Sequence, residues 1–489
     1  MHKKYQKCTD PAGSLYLPGI SYACLFFVLP LFAGTASAEM PACVGCWIYY
    51  NGQTTIRQEN MELPSRIPLS IFSIHDTLIL KILGETDFNL WKSRHQYKKA
   101  FKIEEAIMKI SQTKDIRSAN RMTIIRRILD RGQISRARIS EETGLNKATV
   151  STIVREWMDL KLVDETTTGD SNGGRKPIIL TLASKAGYCI AADIGVSRVR
   201  LTLADLQNTI VAKCSFPVTE PSFSVIYDEL CIQIDQLIQT IPPCPYGLIG
   251  ISLAVRGIID LDGVIRFIPK LGWHNVDIRS LLAQRYHVPI YIDNDGNLAA
   301  AMEFRLYPQY KELTVLSISD VISCGMISGG QLVRGYLGFA NAVGHHTINI
   351  RETRQCSCGK YGCWEQYCSD QYLIEEINRR RSSPIAGIDD FIRLIKHQDP
   401  DALAILKDFI QNLAIGLSNI IFFMNSEMII LNSHLIHSLP YLLPEIMKAT
   451  VLPITHSQEI LLSALGEDAP ILGASRHAIE EFFQILSTH

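Results

Sequence analysis

The chain has 489 residues, 47% of them hydrophobic and 20% charged, and a formal net charge of −1. That is enough chain for two or three domains with sizeable cores, and it excludes a low-complexity or disordered polymer. Near-neutrality excludes a global polyelectrolyte, so any affinity for nucleic acid must come from a local patch. Thirteen cysteines, odd in number and scattered, fit a reduced compartment better than a disulfide framework.

The N-terminal segment conflicts with that compartment. Lys3, Lys4 and Lys7 precede the apolar run Ala23–Ala33, and Thr35-Ala36-Ser37-Ala38 ends it in the manner of a signal-peptidase site. Pro30 and Gly34 make the core too short for a transmembrane helix. Export would part the rest of the chain from DNA, and the rest reads as DNA-binding. Residues 1–111 are therefore expected to be an atypical extension, from an early start codon or a fusion, on a cytoplasmic protein. Cys43-x-x-Cys46 has no second pair nearby, and Asp87–Ile110 is a candidate helix without a domain.

From residue 112 the pattern sharpens. Met122, Ile125 and Leu129 recur at helical spacing until Gly132. Ser135 is an N-cap for a short helix through Thr143, Gly144 makes a turn, and Asn146 caps a third helix from Lys147 to Leu160. Val150, Ile153, Val154, Trp157 and Leu160 are expected on its buried side. Leu162–Glu165 and Arg175–Leu182 read as a hairpin around the Gly-rich tip Gly169–Gly174. Three helices, a glycine turn and a hairpin spell a winged helix-turn-helix over residues 112–182. Residues 112–180 hold 13 Lys/Arg against 9 Asp/Glu, the local positive surplus that a nearly neutral chain needs to meet DNA. Asn146, Lys147, Thr149, Ser151, Thr152 and Arg155 are the candidate DNA-contacting residues of the third helix. Its N-terminal members are expected at base edges, and Arg155 with the wing pair Arg175 and Lys176 at phosphate or minor groove.

Residues 183–489 alternate strands and helices. Tyr188–Ile194, Val199–Ala204, Thr209–Phe216, Leu248–Ala254 and Val288–Ile292 are expected strands. Phe223–Thr240, Ile410–Phe423 and Ala474–Leu486 are expected helices. The class is α/β, a mixed sheet covered by helices. Within it, Gly344-His345 and Cys356-x-Cys358-x4-Cys363 supply a histidine and three thiols on a Gly-rich stretch, the ligand set of a closed structural zinc site. His346 stands beside His345 and is an alternative fourth ligand.

This motif resembles the zinc signature of the ROK family (repressors, open reading frames, kinases). The resemblance spans about residues 112–489 and includes Asp193-Ile194-Gly195, Leu271-Gly272-Trp273, Asn294-Asp295 and Gly473-Ala474. It implies a two-lobed, actin-like sugar-kinase fold. With the winged helix in front, it implies the transcriptional, NagC/Mlc-type branch. It further implies sugar contacts at Asn294, Asp295, His345 and Glu365, with Asp295 at the position of the kinase base. The family's nucleotide elements are altered. Val196-Ser197 follows Asp193-Ile194-Gly195, the second glycine loop reads Ser319–Gly325 with only its last glycine kept, and Asn432-Ser433 replaces a glycine pair. Side chains there obstruct close backbone approach to phosphate, so kinase activity is not expected and Asp295 is a vestigial base. The family's sugar-binding Glu is Ala342 and an expected Asn is Lys270, which either favours a phosphorylated ligand or faces solvent.

The resulting expectation is a repressor of carbohydrate-utilisation genes. It would bind a double-stranded operator as a homodimer or homotetramer and respond to a sugar or sugar phosphate, with Zn2+ as a structural ion. The alternatives are a sugar kinase with an appended DNA-binding domain and a regulator sequestered by a sugar-transport protein.

Overall fold

The computed structural model describes residues 115–166, 178–450 and 458–488, all within Phe101–His489, the second of two units into which the chain divides. The signal-like segment, Cys43, Cys46, the candidate helix before residue 111, and the hairpin tip with Arg175 and Lys176 lie outside the described residues.

Residues 115–131 are helical, followed by helices Arg136–Thr143 and Lys147–Asp159. Local chemistry sets both short helices. Ser135 Oγ accepts from Arg138 N, Gly144 closes the first at φ 71°, and Asn146 Oδ1 accepts from Thr149 N. Val150, Ile153, Val154 and Trp157 are buried as their spacing requires, against Met122, Ile125 and Leu129 of the preceding helix. Leu160 departs from expectation and is exposed. It is the C-cap rather than a member of the helical face, and its carbonyl accepts a 2.8 Å hydrogen bond from Tyr246 Oη. Strands Ile134–Ser135, Ile179–Leu182 and Val163–Thr166 form a three-stranded antiparallel sheet in that order.

The remainder is two lobes. In the first, five strands run in the spatial order Ile290–Asn294, Leu248–Val255, Tyr188–Ile194, Arg198–Asp205, Ile210–Pro217. The second has Glu459–Leu462, Met428–Ser433, Leu313–Ile318, Ile322–Ser328, Gln331–Leu332. Each lobe is an antiparallel meander of three strands extended by two parallel ones, so the same order, 3-2-1-4-5, occurs twice. The central strands are buried on both faces, which is why they read as continuous apolar runs.

The lobes exchange helices. Asp295–Glu303 leaves the last strand of the first lobe and packs on the sheet of the second, whereas Ala469–Thr488 leaves the last strand of the second and packs back on the first. The two helices also cross each other, and the crossing is backbone on backbone. A Cβ on Gly473 would lie 2.1 Å from Leu298 O; where Asp295–Glu303 lies on the strand Ile322–Ser328, one on Gly325 would lie 2.0 Å from Gly296 O. A small antiparallel sheet, Ile258–Ile259, Ile265–Ile268 and Trp273–Val276, rims the first lobe and carries Lys270 at a turn.

Candidate functional site

A cleft opens where the first lobe meets the second, with room inside for about 50 Å³. It is lined from the first lobe by Arg256, Lys270 and Asn294, and from the second by Ser323, Asn341, His345 and Glu365. Each is placed by an element end. Asn294 is the N-cap of Asp295–Glu303. Its Oδ1 accepts from Gly296 N and Asn297 N at 2.9 and 3.3 Å while its Nδ2 donates to Gly257 O at 2.9 Å. Glu365 opens a short helix, Glu365–Cys368, immediately after the thiol loop.

Three of the four residues that the resemblance assigns to sugar contact line the cleft: Asn294, His345 and Glu365. The fourth, Asp295, lies just behind its wall, 1% exposed. It reaches the lining through Ser323, whose hydroxyl donates to Asp295 Oδ2 at 2.7 Å, and Arg256, whose Nε is 3.6 Å from the same oxygen. Burial pushes the Asp295 carboxyl up to about 6, against the pull of Arg256 and Ser323. Lys270 lines the cleft rather than pointing to bulk solvent, and donates to Gln371 Oε1 at 2.8 Å.

Arg256 is the residue that sequence reasoning missed. Its guanidinium is also 3.3 Å from Asp193 Oδ2. Burial opposes its charge, but the carboxylates of Asp193 and Asp295 outweigh that and hold its pKa above the ordinary value. It lies against the Asp193-Ile194-Gly195 turn so closely that a Cβ on Gly195 would be 2.2 Å from Arg256 Nη1. The signal was a lone arginine ending the apolar strand Leu248–Val255 and followed by Gly257, where a Cβ would strike Phe267 O at 2.6 Å. Beside it the altered glycine loops meet across the lobes, with Ser197 Oγ donating to Asp320 Oδ2 at 2.7 Å. Deeper in the second lobe, burial and the nearby carboxylates of Asp320 and Glu467 push Asp370 up to about 8.

At the cleft's second-lobe wall, one ligand atom each from His345, Cys356, Cys358 and Cys363 gathers within 4.8 Å of every other. The Cys358 and Cys363 sulfurs are 3.6 Å apart and Cys356 Sγ is 3.7 Å from His345 Nδ1. A tetrahedral ion with sulfur ligands at about 2.3 Å needs edges of about 3.8 Å, so the four residues fit a metal. His346 is not among them. Its Nδ1 faces Val343 O, its Nε2 is 3.3 Å from Asn419 Nδ2, and its ring packs 5.1 Å from Trp364. Gly362 makes the knuckle possible at φ 69°, and a Cβ there would lie 1.8 Å from Asn349 O. Burial pushes the Cys356 thiol up to about 11 and raises the Cys363 thiol as well, and a cation bound there would draw their protons off. The cluster touches the cleft directly: Cys356 Sγ donates to Glu365 Oε1 at 3.3 Å, and His345 Nδ1 is 3.7 Å from that oxygen.

On the helical module, Asn146, Lys147, Thr152 and Arg155 are exposed and Thr149 and Ser151 are half-buried. Asn146 spends its carbonyl on the helix cap. Arg117, Arg131, Arg136 and Arg138 are paired with glutamates. Among the described residues Lys147 and Arg155 take part in no ion pair, which leaves their charge available to a polyanion.

Comparison with known proteins places this architecture. The ROK family pattern matches residues 189–481. A xylose repressor from Bacillus spizizenii is 36% identical over 385 residues, covering 78% of this chain and 100% of the repressor. The Escherichia coli DNA-binding transcriptional dual regulator NagC is 25% identical over 265 residues, 54% of this chain and 65% of NagC. Among solved structures, a ROK family transcriptional regulator homologous to E. coli Mlc matches with a TM-score of 0.63 at 20% identity, over 76% of this chain and 99% of its own. A ROK glucokinase from Streptomyces griseus, in complex with glucose and AMPPNP, matches at 0.54 and 20% identity, over 59% of this chain and 98% of its own. The chain belongs to the ROK family.

Proposed function

We propose that this chain is a sequence-specific DNA-binding transcriptional regulator that represses carbohydrate-utilisation genes and is released by a sugar. The observation that carries this is the reach of the similarity. The match to the xylose repressor takes in the whole of that repressor, so it covers the helical module as well as the two lobes. D-xylose is accordingly the first effector to test, and the cleft suits a small neutral sugar. Its carboxylate (Glu365) and amides (Asn294, Asn341) can pair with hydroxyls, while the charge of Arg256 is already balanced by Asp193 and Asp295.

Residues 112–182 act as the winged helix-turn-helix. The helix Lys147–Asp159 enters the major groove, with Lys147 and Arg155 exposed and free to meet the operator. Two-fold recognition requires a homodimer or a dimer of dimers. The working compartment is the cytoplasm, where the operator is. Zn2+ is held by His345, Cys356, Cys358 and Cys363 and is structural: four protein ligands leave no open position. It fixes His345 and Glu365 at the cleft wall. Kinase chemistry is absent because the nucleotide end is filled by the protein's own side chains, Arg256 over Gly195 and Ser197 on Asp320.

The test is fluorescence anisotropy of the full chain on DNA from upstream of its own and neighbouring genes, at fixed salt, with xylose, other sugars and sugar phosphates. Selective binding weakened tenfold or more by xylose, about 1.4 kcal/mol of coupling, is the expected result. Absence of any sequence-selective binding overturns the reading.

A further inference from the structure

The helix Asp295–Glu303 begins in the cleft and ends at the DNA-binding module. At its first turn Asn294 lines the cleft and Asp295 touches Ser323 and Arg256. Nine residues carry it about 14 Å, at about 1.5 Å per residue. The turn Phe304–Leu306 follows, and there Arg305 Nη1 donates to Asp130 Oδ1 at 2.9 Å while its other terminal nitrogen pairs with Glu480. Asp130 belongs to the first helix of the DNA-binding module, and Glu480 to the C-terminal helix. Arg476 joins both, donating to Asp130 Oδ1 at 2.6 Å and to Glu480 Oε1 at 2.6 Å.

The helix has little slack along its length. Gly296 meets the backbone of Cys324 and Gly325, and Leu298 meets Gly473, with no side chain between the paired backbones. A close-packed contact of this kind transmits displacement rather than absorbing it. The C-terminal helix is in turn bound to the DNA-binding module by an apolar seam. Phe483 packs edge-to-face on Trp157 at 5.6 Å, and Arg121 Nη1 donates to Ser487 O at 3.4 Å.

We propose that Asp295–Leu306 is the strut through which sugar occupancy sets the position of the DNA-binding helices, with the Arg305–Asp130 pair as its output joint. Hydroxyl contacts at Asn294, or at Ser323 and Arg256, shift the start of the strut. Arg305 then moves relative to Asp130 and Glu480, and the first helix of the module moves with it. This rests on the sugar-responsive repressor reading above.

The experiment compares Arg305→Met with wild type in the full chain. D-xylose affinity is measured by calorimetry, and operator affinity with and without D-xylose by anisotropy at fixed salt. Arg305→Met is expected to keep xylose affinity and sugar-free operator affinity within about threefold, while xylose-induced release of the operator falls at least fivefold. Asp130→Asn, which leaves the cleft helix intact, is expected to do the same and serves if Arg305→Met does not fold. Arg126→Met is the control: Arg126 reaches Glu480 at 3.6 Å without touching the strut, and its coupling should match wild type. Full wild-type coupling in Arg305→Met or, should that fail to fold, in Asp130→Asn overturns the strut and leaves the repressor reading standing. A wild-type protein whose operator binding no sugar alters overturns the repressor reading, and the strut with it.

Discussion

Cys358 is the thiol through which the link between the candidate metal cluster and the cleft can be tested experimentally. It is half-buried on the outer side of the knuckle, 3.6 Å from the Cys363 sulfur, whereas Cys356 and Cys363 are buried. Exchanging it for serine removes one soft ligand with little change in packing. The Cys358→Ser protein is expected to lose its bound metal, about one ion per wild-type chain falling below about 0.2 by elemental analysis. Sugar affinity is expected to fall at least tenfold, because His345 and Glu365 are held by the same loop. Retained sugar affinity without the ion would show that the knuckle does not shape the cleft. At this scale the chemistry was legible in the sequence only where a residue type is rare and its spacing short. Three thiols and a histidine on a Gly-rich loop announce themselves. The sequence favoured His345 and left His346 open; geometry groups His345 with the thiols and turns His346 onto Trp364 and Asn419. Arg256 carries no motif at all; its meaning comes from two carboxylates distant in sequence.

The helix Pro400–Met424 shows how an element's ends and its role are read by different signals. Its apolar second half was legible, but the expected start at Ile410 came ten residues late. The start signal was present: Asp399 Oδ1 accepts from Ala402 N at 3.0 Å, and Pro400 sits at the first helical position. The helix is long and apolar enough to cross a membrane, yet half of its most apolar window is buried inside the second lobe. Gly416 explains why it packs so closely. A Cβ there would lie 1.9 Å from Trp364 Cε2, and the indole Nε1 donates to Asn412 O at 3.0 Å on the same helix. Trp364 directly follows the candidate ligand Cys363, so the helix backs the loop of the His345–Cys356–Cys358–Cys363 cluster. Gly416→Ala is expected to cost about 1–3 kcal/mol, the usual penalty of overpacking. It should also speed metal loss to a chelator, through the displaced indole. Stability is checked by denaturant titration and metal release by a colorimetric chelator. A stable variant whose metal leaves at the wild-type rate would show that the indole is not what supports the loop.

At the scale of the molecule, strand–helix alternation was enough to expect an α/β fold, and the family signature to expect two lobes. What stayed hidden was that each lobe repeats the order 3-2-1-4-5 and that Asp295–Glu303 passes from the first lobe onto the sheet of the second. The first and fourth strands of each lobe share only burial on both faces, which many apolar sequences satisfy, so the repeat leaves no pattern of identical residues. The same duplication opens a cleft between the lobes. Here the chain's own side chains join the lobes. Ser197 donates to Asp320, Arg200 Nη1 donates to Asp468 Oδ1 at 2.8 Å, and Arg256 sits against Gly195 with Asp193 and Asp295 as its counter-ions. A triphosphate entering this end would have to displace the guanidinium from two carboxylates and meet the charge of Asp320, with little glycine backbone to receive it. Mg2+ with AMPPNP is therefore expected to leave the melting temperature of the full chain unchanged within about 1 °C at millimolar concentration, whereas xylose raises it. ATP and xylose together should yield no ADP in a coupled assay. Saturable stabilisation by the nucleotide, with turnover lost in Asp295→Asn, would restore the kinase reading. The two ligands answer different questions of the same cleft: xylose tests the end lined by Asn294, His345 and Glu365, and the nucleotide tests the end where Arg256, Ser197 and Asp320 meet.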